Sequence, residues 1–147
     1  MRQLQVTQWA CAISFLALMG CAAYETAPSG SLYDRLGGKT AITAVVDEFV
    51  AKVAADTRIN DHFATTDIPK LKRHLVDQVC AASGGSCVYT GRDMKTTHAG
   101  MRLTNADFDA LVQNLVTALD KFKVGEREKQ ELLALLSPMR KDIVEVP

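Results

Sequence analysis

From residue 31 to the C-terminus, apolar residues recur at spacings of three and four, which is the pattern of amphipathic helices. The pattern predicts helices over residues 41–55, about 68–82, about 105–122 and about 126–144. No stretch shows the alternation of period two that is typical of a β-strand. The sequence therefore predicts an all-α domain.

Local signals place the ends of these helices. N-caps are predicted at Ser31, Thr40, Asp67 and Thr104. Pro138 lies inside the last helix, where it removes a backbone hydrogen bond and should kink or end that helix. The polar loop Thr57–Asp67 carries Phe63, an aromatic residue expected to fold back onto apolar surface. A further short helix is predicted around Thr96–Met101, and it carries His98.

The first 20 residues have the pattern of an export signal, with Arg2 near the start and an apolar stretch ending at Met19. The stretch is too short and too interrupted for a typical membrane-spanning helix. Leu18-Met19-Gly20-Cys21 resembles the bacterial lipobox, in which the cysteine is acylated. We therefore expect a lipoprotein, periplasmic or anchored in the outer membrane; ordinary secretion and an uncleaved anchor are the alternatives. This divides the chain into a signal peptide (1–20), a lipidated flexible tether (21–30) and a folded domain (31–147).

Two cysteines remain in the predicted domain, Cys80 and Cys87. Export leads to an oxidising compartment, where an even pair of cysteines favours a disulfide. Closing this short loop would stabilise the fold by about 2.5 kcal/mol in the chain-entropy account. A zinc site is the weaker reading, because Cys-x6-Cys is not a zinc spacing and no second ligand pair accompanies it.

The balanced charge and the absence of common catalytic motifs favour a protein that binds its partner in a pocket. The 17 basic and 17 acidic residues give no field that would gather nucleic acid or a charged membrane surface. Common catalytic motifs, such as a P-loop, GxSxG or HExxH, do not occur. His74 and His98 lie beside apolar positions, where a lone histidine is more often structural than a metal ligand. A haem needs an imidazole, an apolar slot and basic groups near its propionates, and this chain offers all three.

Six short motifs carry a resemblance to a known family. SLYDRLGG, VDEF, INDHF, ASGG, YTGR and THAGM follow one another in the order and spacing of the group I truncated haemoglobins, from Ser31 to Val144. Each motif is weak alone, whereas six in register are specific. The resemblance implies a truncated globin fold, which is a two-over-two helical sandwich, and haem b (iron protoporphyrin IX) as the cofactor.

The resemblance also implies the site. His98 matches the proximal iron ligand of the family. Phe63 matches the loop phenylalanine that packs on the haem, and Phe49 matches its apolar neighbour in the first long helix. Tyr89 and Met94, shortly before His98, complete the expected haem contacts. The basic residues that could meet the propionates are Lys70, Lys72, Arg73, Arg92 and Lys95.

Three positions depart from the family on the distal side. The family commonly has a tyrosine where this chain has Val50, and often a glutamine where it has Leu71 and Leu75. A hydrogen bond from such a donor to a polarised gas ligand is worth about 1.5–3 kcal/mol. That corresponds to about ten- to a hundredfold in affinity. We therefore expect weaker oxygen binding than is usual in the family.

His74 matches a position from which some family members bring a second histidine onto the iron. Such a six-coordinate centre suits electron transfer or redox sensing better than gas carriage. In the alternative interpretation, His74 meets a haem propionate or solvent, and the sequence leaves both open. Gln78, one helical turn further on, is another polar group that could reach the distal space.

The leading hypothesis is a haem-binding globin that binds oxygen, NO or CO at the iron, is reduced by an unidentified reductase and meets a membrane through its lipid. The alternative is a haem enzyme, either a nitric oxide dioxygenase or a peroxidase-like protein. The missing distal tyrosine argues against the first, and the second needs His74 as its acid–base group. A haem-free helical lipoprotein with a structural role is the third interpretation, and it leaves His98 without a purpose.

Overall fold

The computed structural model describes residues 29–146. The predicted signal peptide and Cys21 lie outside the described residues. The helices of the described chain are α1 (Leu32–Arg35), α2 (Gly38–Ala55), α3 (Ile68–Ala82), α4 (Met94–His98), α5 (Asn105–Lys121), α6 (Glu126–Leu136) and α7 (Arg140–Ile143). Within residues 29–146, extended pairing is limited to one bridge between Thr104 and Val146. The predicted all-α class is confirmed.

Three of the predicted N-caps are confirmed. Ser31 forms a complete capping box with Asp34 at the start of α1. Asp67 accepts a hydrogen bond from the Lys70 N–H and opens α3. Thr104 forms a second capping box at the start of α5. In each case the side chain satisfies a backbone donor that the first helical turn leaves free.

The predicted start of α2 is wrong. The helix begins at Gly38 rather than residue 41, and its N-cap is Gly37, which has no capping side chain and a left-handed φ of 92°. The Lys39 N–H in the first turn donates to the Tyr33 hydroxyl at 2.9 Å. A residue from the preceding helix therefore supplies the acceptor that Thr40 was expected to provide.

The short helix around His98 is also displaced from its predicted range. It spans Met94–His98 rather than 96–101, and it opens at Asp93, whose carboxylate accepts from the Thr96 N–H. After His98 the backbone leaves the helical region, with Ala99 at ψ 126° and Gly100 at φ 82°. Residue 98 is therefore the last helical residue of this segment.

Pro138 breaks the last helix as predicted. α6 ends at Leu136, a 3-10 turn covers Ser137–Met139, and α7 follows. The loop before α3 is more ordered than expected, because a 3-10 turn spans Asn60–Phe63. Ile59 in this loop is buried in the core, although the sequence analysis did not predict it as a core residue.

The apolar residues form two clusters. The main core lies where α2 packs against α3 and α5. A small cluster joins α4 to the C-terminal segment; it contains Leu103, Phe108 and Ile143, with Met94, Met101, Val112, Met139 and Val144 packed against it. Among the described residues, none of the helices has the length and apolar content needed to span a bilayer.

Candidate functional site

His98 is oriented by its own helix. Its Nδ1 lies 2.7 Å from the carbonyl oxygen of Met94. A carbonyl oxygen can only accept a hydrogen bond, so Nδ1 carries the proton and Nε2 keeps the lone pair. Nε2 is therefore the nitrogen available to a metal, and the hydrogen bond at Nδ1 fixes the direction of the ring.

His74 lies in the middle of α3, and its ring meets the Tyr89 ring edge-on, with centroids 6.0 Å apart. Its Nδ1 is buried without a hydrogen-bond partner among residues 29–146. A buried polar atom without a partner is costly. The missing hydrogen bond therefore indicates that this nitrogen contacts a bound ligand rather than another side chain.

Tyr89 contacts His74 through its ring and the backbone of Arg92 through its hydroxyl. Its hydroxyl donates to the Arg92 carbonyl oxygen at 2.8 Å. Burial raises the pKa of the Tyr89 phenol above its ordinary value, and the charge of Asp93 adds to this effect. The phenol stays protonated at neutral pH and remains a donor. A Cβ at Gly91 would overlap the Tyr89 phenol, so a side chain at residue 91 would displace the Tyr89 ring from this position.

Gln78 connects α3 to the small cluster. Its amide nitrogen lies 3.2 Å from the Met139 sulfur and 3.9 Å from the Met94 sulfur. A thioether is a weak acceptor, so the amide is poorly satisfied. The contact brings the face of α3 that carries His74 and Gln78 against the segment that presents His98.

The expected distal residues are all apolar, and four of them belong to the main core. Phe49 and Val50 are buried in α2, and Phe63 and Leu75 pack against the same main core. Leu71 is half-buried on α3. Because none of these side chains has a hydrogen-bond donor, the surface they form offers a ligand only dispersion contacts.

The five basic candidates divide into two kinds. Lys72 forms an ion pair with Asp47 at 2.9 Å, which ties α3 to α2. The other four are exposed and make no ion pair within the described chain; they are Lys70, Arg73, Arg92 and Lys95. These four are free to meet an external carboxylate.

The end of α3 is joined covalently to the segment that leads to α4. Cys80, fully buried, is bonded to Cys87 with their Cα atoms 5.7 Å apart. A Cβ on Gly85 would lie 2.6 Å from the Cys80 sulfur and 2.7 Å from Tyr33, so the tight loop between the cysteines needs glycine there. The disulfide therefore holds Cys87, two residues before Tyr89, beside the end of α3.

Two depressions lie away from the histidines. An open one of about 420 Å³ is lined by charged and small residues at the C-terminal end of α2 and by Asn114. Hydrogen bonds from Arg58 and Asn114 hold the pKa of Asp56 in this depression far below its usual value. Asp56 is therefore a permanently charged, internally paired group rather than an acid–base catalyst. The other is an apolar cavity of about 20 Å³ in the main core.

These features fit a haem. One imidazole has a protonated Nδ1 and a free Nε2, a second has an unpartnered buried nitrogen, and the small cluster that includes Met94 supplies apolar and thioether groups. Asp93 and Met139 also belong to this arrangement and were not predicted from the sequence. Asp93 could have been found, because an aspartate three residues before Thr96 is a typical N-cap pattern. Met139 gave no signal, because its contact with Gln78 joins residues 61 positions apart.

Known proteins resemble this chain in both sequence and fold. Residues 31–145 match the family model for bacterial-like globins. The group 1 truncated haemoglobin of Mycolicibacterium paratuberculosis is 34% identical over 122 residues, covering 83% of this chain and 90% of that protein. The ferric truncated haemoglobin of Tetrahymena pyriformis superposes with a TM-score of 0.76 at 33% identity, covering 78% of this chain and 98% of that structure. The 2/2 haemoglobin of Synechococcus, a cyanomet structure with covalently attached haem, has a TM-score of 0.74, 35% identity and the same coverage.

Proposed function

The chain belongs to the group 1 truncated haemoglobins and is a haem-binding globin for diatomic gases, and from this premise we propose that His98 is its axial iron ligand. The observation that carries the proposal is the hydrogen bond from Nδ1 to the Met94 carbonyl oxygen. It fixes the tautomer and leaves Nε2 for the iron. When bound, haem supplies an iron atom that takes a diatomic gas as a further ligand.

The distal side supports weak gas binding. Val50, Leu71 and Leu75 stand where a donor would strengthen the binding of a polarised ligand, and all three side chains are apolar. Phe63 and Phe49 would exclude water from the haem and so slow loss of its reduced state. The exposed Arg92 and Lys95 would meet the propionates, because each is free of ion pairs among residues 29–146.

A second coordination state is favoured by the unpartnered Nδ1 of His74. In this state His74 would hold the iron together with His98, and the protein would serve electron transfer or sensing. The peroxidase-like alternative depends on the same imidazole as an acid–base group. Nitric oxide dioxygenation is the finer enzymatic possibility within the family, and the apolar distal residues argue against it.

Absorption spectra of the ferric and dithionite-reduced protein test both roles. We expect a Soret band in the parent that His98→Ala weakens strongly. If His74 binds iron, the parent is low-spin and six-coordinate, and His74→Ala makes it five-coordinate. His62→Ala is the control for loss of an imidazole, because His62 lies 3.8 Å from Asp107 and has no proposed role toward the iron. A spectrum equally affected by His62→Ala and His98→Ala would contradict the assignment.

We further propose that the protein is exported and acylated at Cys21. The support is the Arg2-to-Met19 pattern followed by Gly20-Cys21, together with the Cys80–Cys87 disulfide, which suits an oxidising compartment. Mass spectrometry of the membrane fraction should find a diacylglyceryl N-terminus at Cys21 in the parent. Cys21→Ser should release the protein from the membrane, and an unmodified Met1 in the parent would overturn the proposal.

A further inference from the structure

The chain reverses direction immediately after His98. Met101 N–H donates to the His98 carbonyl oxygen at 3.1 Å, which closes a turn over His98–Met101. Gly100 within this turn has a φ of 82°, and Arg102, the residue directly after the turn, has a φ of 55°. A residue with a side chain rarely adopts this left-handed conformation. The surroundings of Arg102 must therefore hold it there.

The C-terminal segment supplies the restraint. The Glu145 carboxylate accepts the Gly100 N–H at 2.7 Å through Oε1 and the Arg102 N–H at 2.6 Å through Oε2. These two backbone hydrogen bonds also lower the pKa of Glu145 below its ordinary value, the bond from Gly100 contributing most. Hydrogen bonds to a charged acceptor are shorter and stronger than those to a neutral one.

Glu145 is itself fixed in place. The N–H groups of Glu145 and Val146 both donate to the Leu103 carbonyl oxygen, at 2.9 and 3.0 Å. Ile143, two residues before Glu145, is buried beside Leu103 in the small cluster. The carboxylate therefore stands on an anchored backbone, although its side chain is exposed.

We propose that Glu145 is a positioning residue for His98: it fixes the turn after α4 and thereby the direction in which the imidazole is presented to the haem iron. The proposal rests on the proposed role of His98 as axial ligand. The hydrogen bond to Met94 orients the imidazole from within α4, and Glu145 holds the chain at the other end of the histidine.

The test compares Glu145→Ala and Glu145→Gln with Asp142→Ala in the haem-loaded protein. Asp142 is an exposed carboxylate of the same C-terminal segment without a hydrogen bond to the described residues, so it controls for lost charge. All variants are made in a His74→Ala background, which removes His74 as a possible second iron ligand. The readouts are amide hydrogen exchange at Gly100 and Arg102, the iron–histidine stretching band in resonance Raman spectra, and haem transfer to excess apomyoglobin.

In Glu145→Ala we expect exchange at both amides to become about tenfold faster, because two charge-assisted hydrogen bonds are lost at an exposed site. The iron–histidine band should shift or broaden, and haem release should accelerate about three- to tenfold. Glu145→Gln keeps one acceptor oxygen and should lie in between, and it also tests the proposal if the alanine variant folds poorly. Asp142→Ala should match its parent.

Two results would overturn the proposal. Unchanged exchange at Gly100 and Arg102 would mean that Glu145 does not hold the turn in solution. Faster exchange with an unchanged iron–histidine band and haem release would mean that the turn does not position His98. A parent without a Soret band would instead refute the haem role of His98, and the positioning role with it, while the exchange data would still show whether Glu145 holds the turn.

Discussion

Helix α3, which carries His74, has 15 residues, whereas α4, which carries His98, has five. α3 is anchored by the Asp67 cap at its start, by packing on α2 along its length and by the Cys80–Cys87 disulfide at its end. An isolated helix as short as α4 would not be stable in water, because nucleation is costly. Its order comes from the Asp93 cap and from contacts with the C-terminal segment.

The difference separates two tasks within one site. The α3 side shares its apolar residues with the main core, so changes there should alter global stability. The order of α4 depends on a few polar contacts around a small cluster. Changes there should therefore alter local order and the orientation of His98. A short, separately held segment would allow the orientation of His98, the proposed iron ligand, to change without a change in the core.

Removing the disulfide should produce the largest change on the α3 side. We expect the double variant Cys80→Ser, Cys87→Ser to lose about 2.5 kcal/mol in the free energy of unfolding, because the unfolded chain regains loop entropy. Urea unfolding of parent and variant measures this loss. Dithiothreitol should destabilise the parent by a similar amount and leave the double variant unchanged; a parent insensitive to reduction would contradict the prediction.

Adding a donor to the apolar distal surface tests the functional consequence of that side. Val50 is buried in α2, so a larger side chain costs packing energy whatever its polarity. Val50→Phe therefore serves as the matched control for Val50→Tyr. We expect the tyrosine variant to bind oxygen about tenfold more tightly than the phenylalanine variant, because only the tyrosine donates a hydrogen bond. Equal oxygen dissociation rates in stopped-flow measurements would place residue 50 away from the ligand.

Features that depend on neighbouring residues could be predicted from the sequence, whereas contacts between distant residues could not. The caps at Ser31, Asp67 and Thr104 were predictable because each residue bonds within its own first turn. The start of α2 was not, because its acceptor is the Tyr33 hydroxyl from another helix. The bonds from Gly100 and Arg102 to Glu145 join residues 45 and 43 positions apart, and no local pattern indicates them.

Most residues of the site were predicted from the resemblance to the truncated haemoglobins rather than from the sequence pattern alone. His74 and His98 drew attention as histidines beside apolar positions, but spacing alone did not distinguish a ligand from a structural residue. The tautomer of His98 follows from the Met94 carbonyl oxygen, which is a structural observation. The contact between Gln78 and the two methionines likewise depends on how α3 meets the small cluster.

Two matched caps can sharpen the contrast between the helices. Asp67 and Asp93 each accept a hydrogen bond from the third residue beyond them, at 3.0 and 2.8 Å. Loss of an N-cap costs about 1 kcal/mol in a well-packed helix, and Asp67→Ala should lower the free energy of unfolding by about that amount. Asp93→Ala should instead act locally and speed amide exchange at Thr96 and Thr97. Equal global effects of the two variants would show that α4 unfolds only together with the rest of the domain.

Acid should loosen the α4 side, and this is the smallest effect near neutral pH. The hydrogen bond from the Thr96 N–H lowers the pKa of Asp93 below its usual value of 3.8, with the Thr96 side chain adding to the shift. A carboxylate with a depressed folded-state pKa stabilises fully above its unfolded-state pKa, and that contribution is lost as the pH falls through the folded-state value. Amide exchange at Thr96 and Thr97, corrected for intrinsic pH dependence, should therefore be constant from about pH 7 to pH 5 and rise below about pH 4. Asp93→Asn keeps an acceptor oxygen but does not titrate, so its exchange should lack this rise. A rise of the same size in both proteins would assign the acid sensitivity to another group.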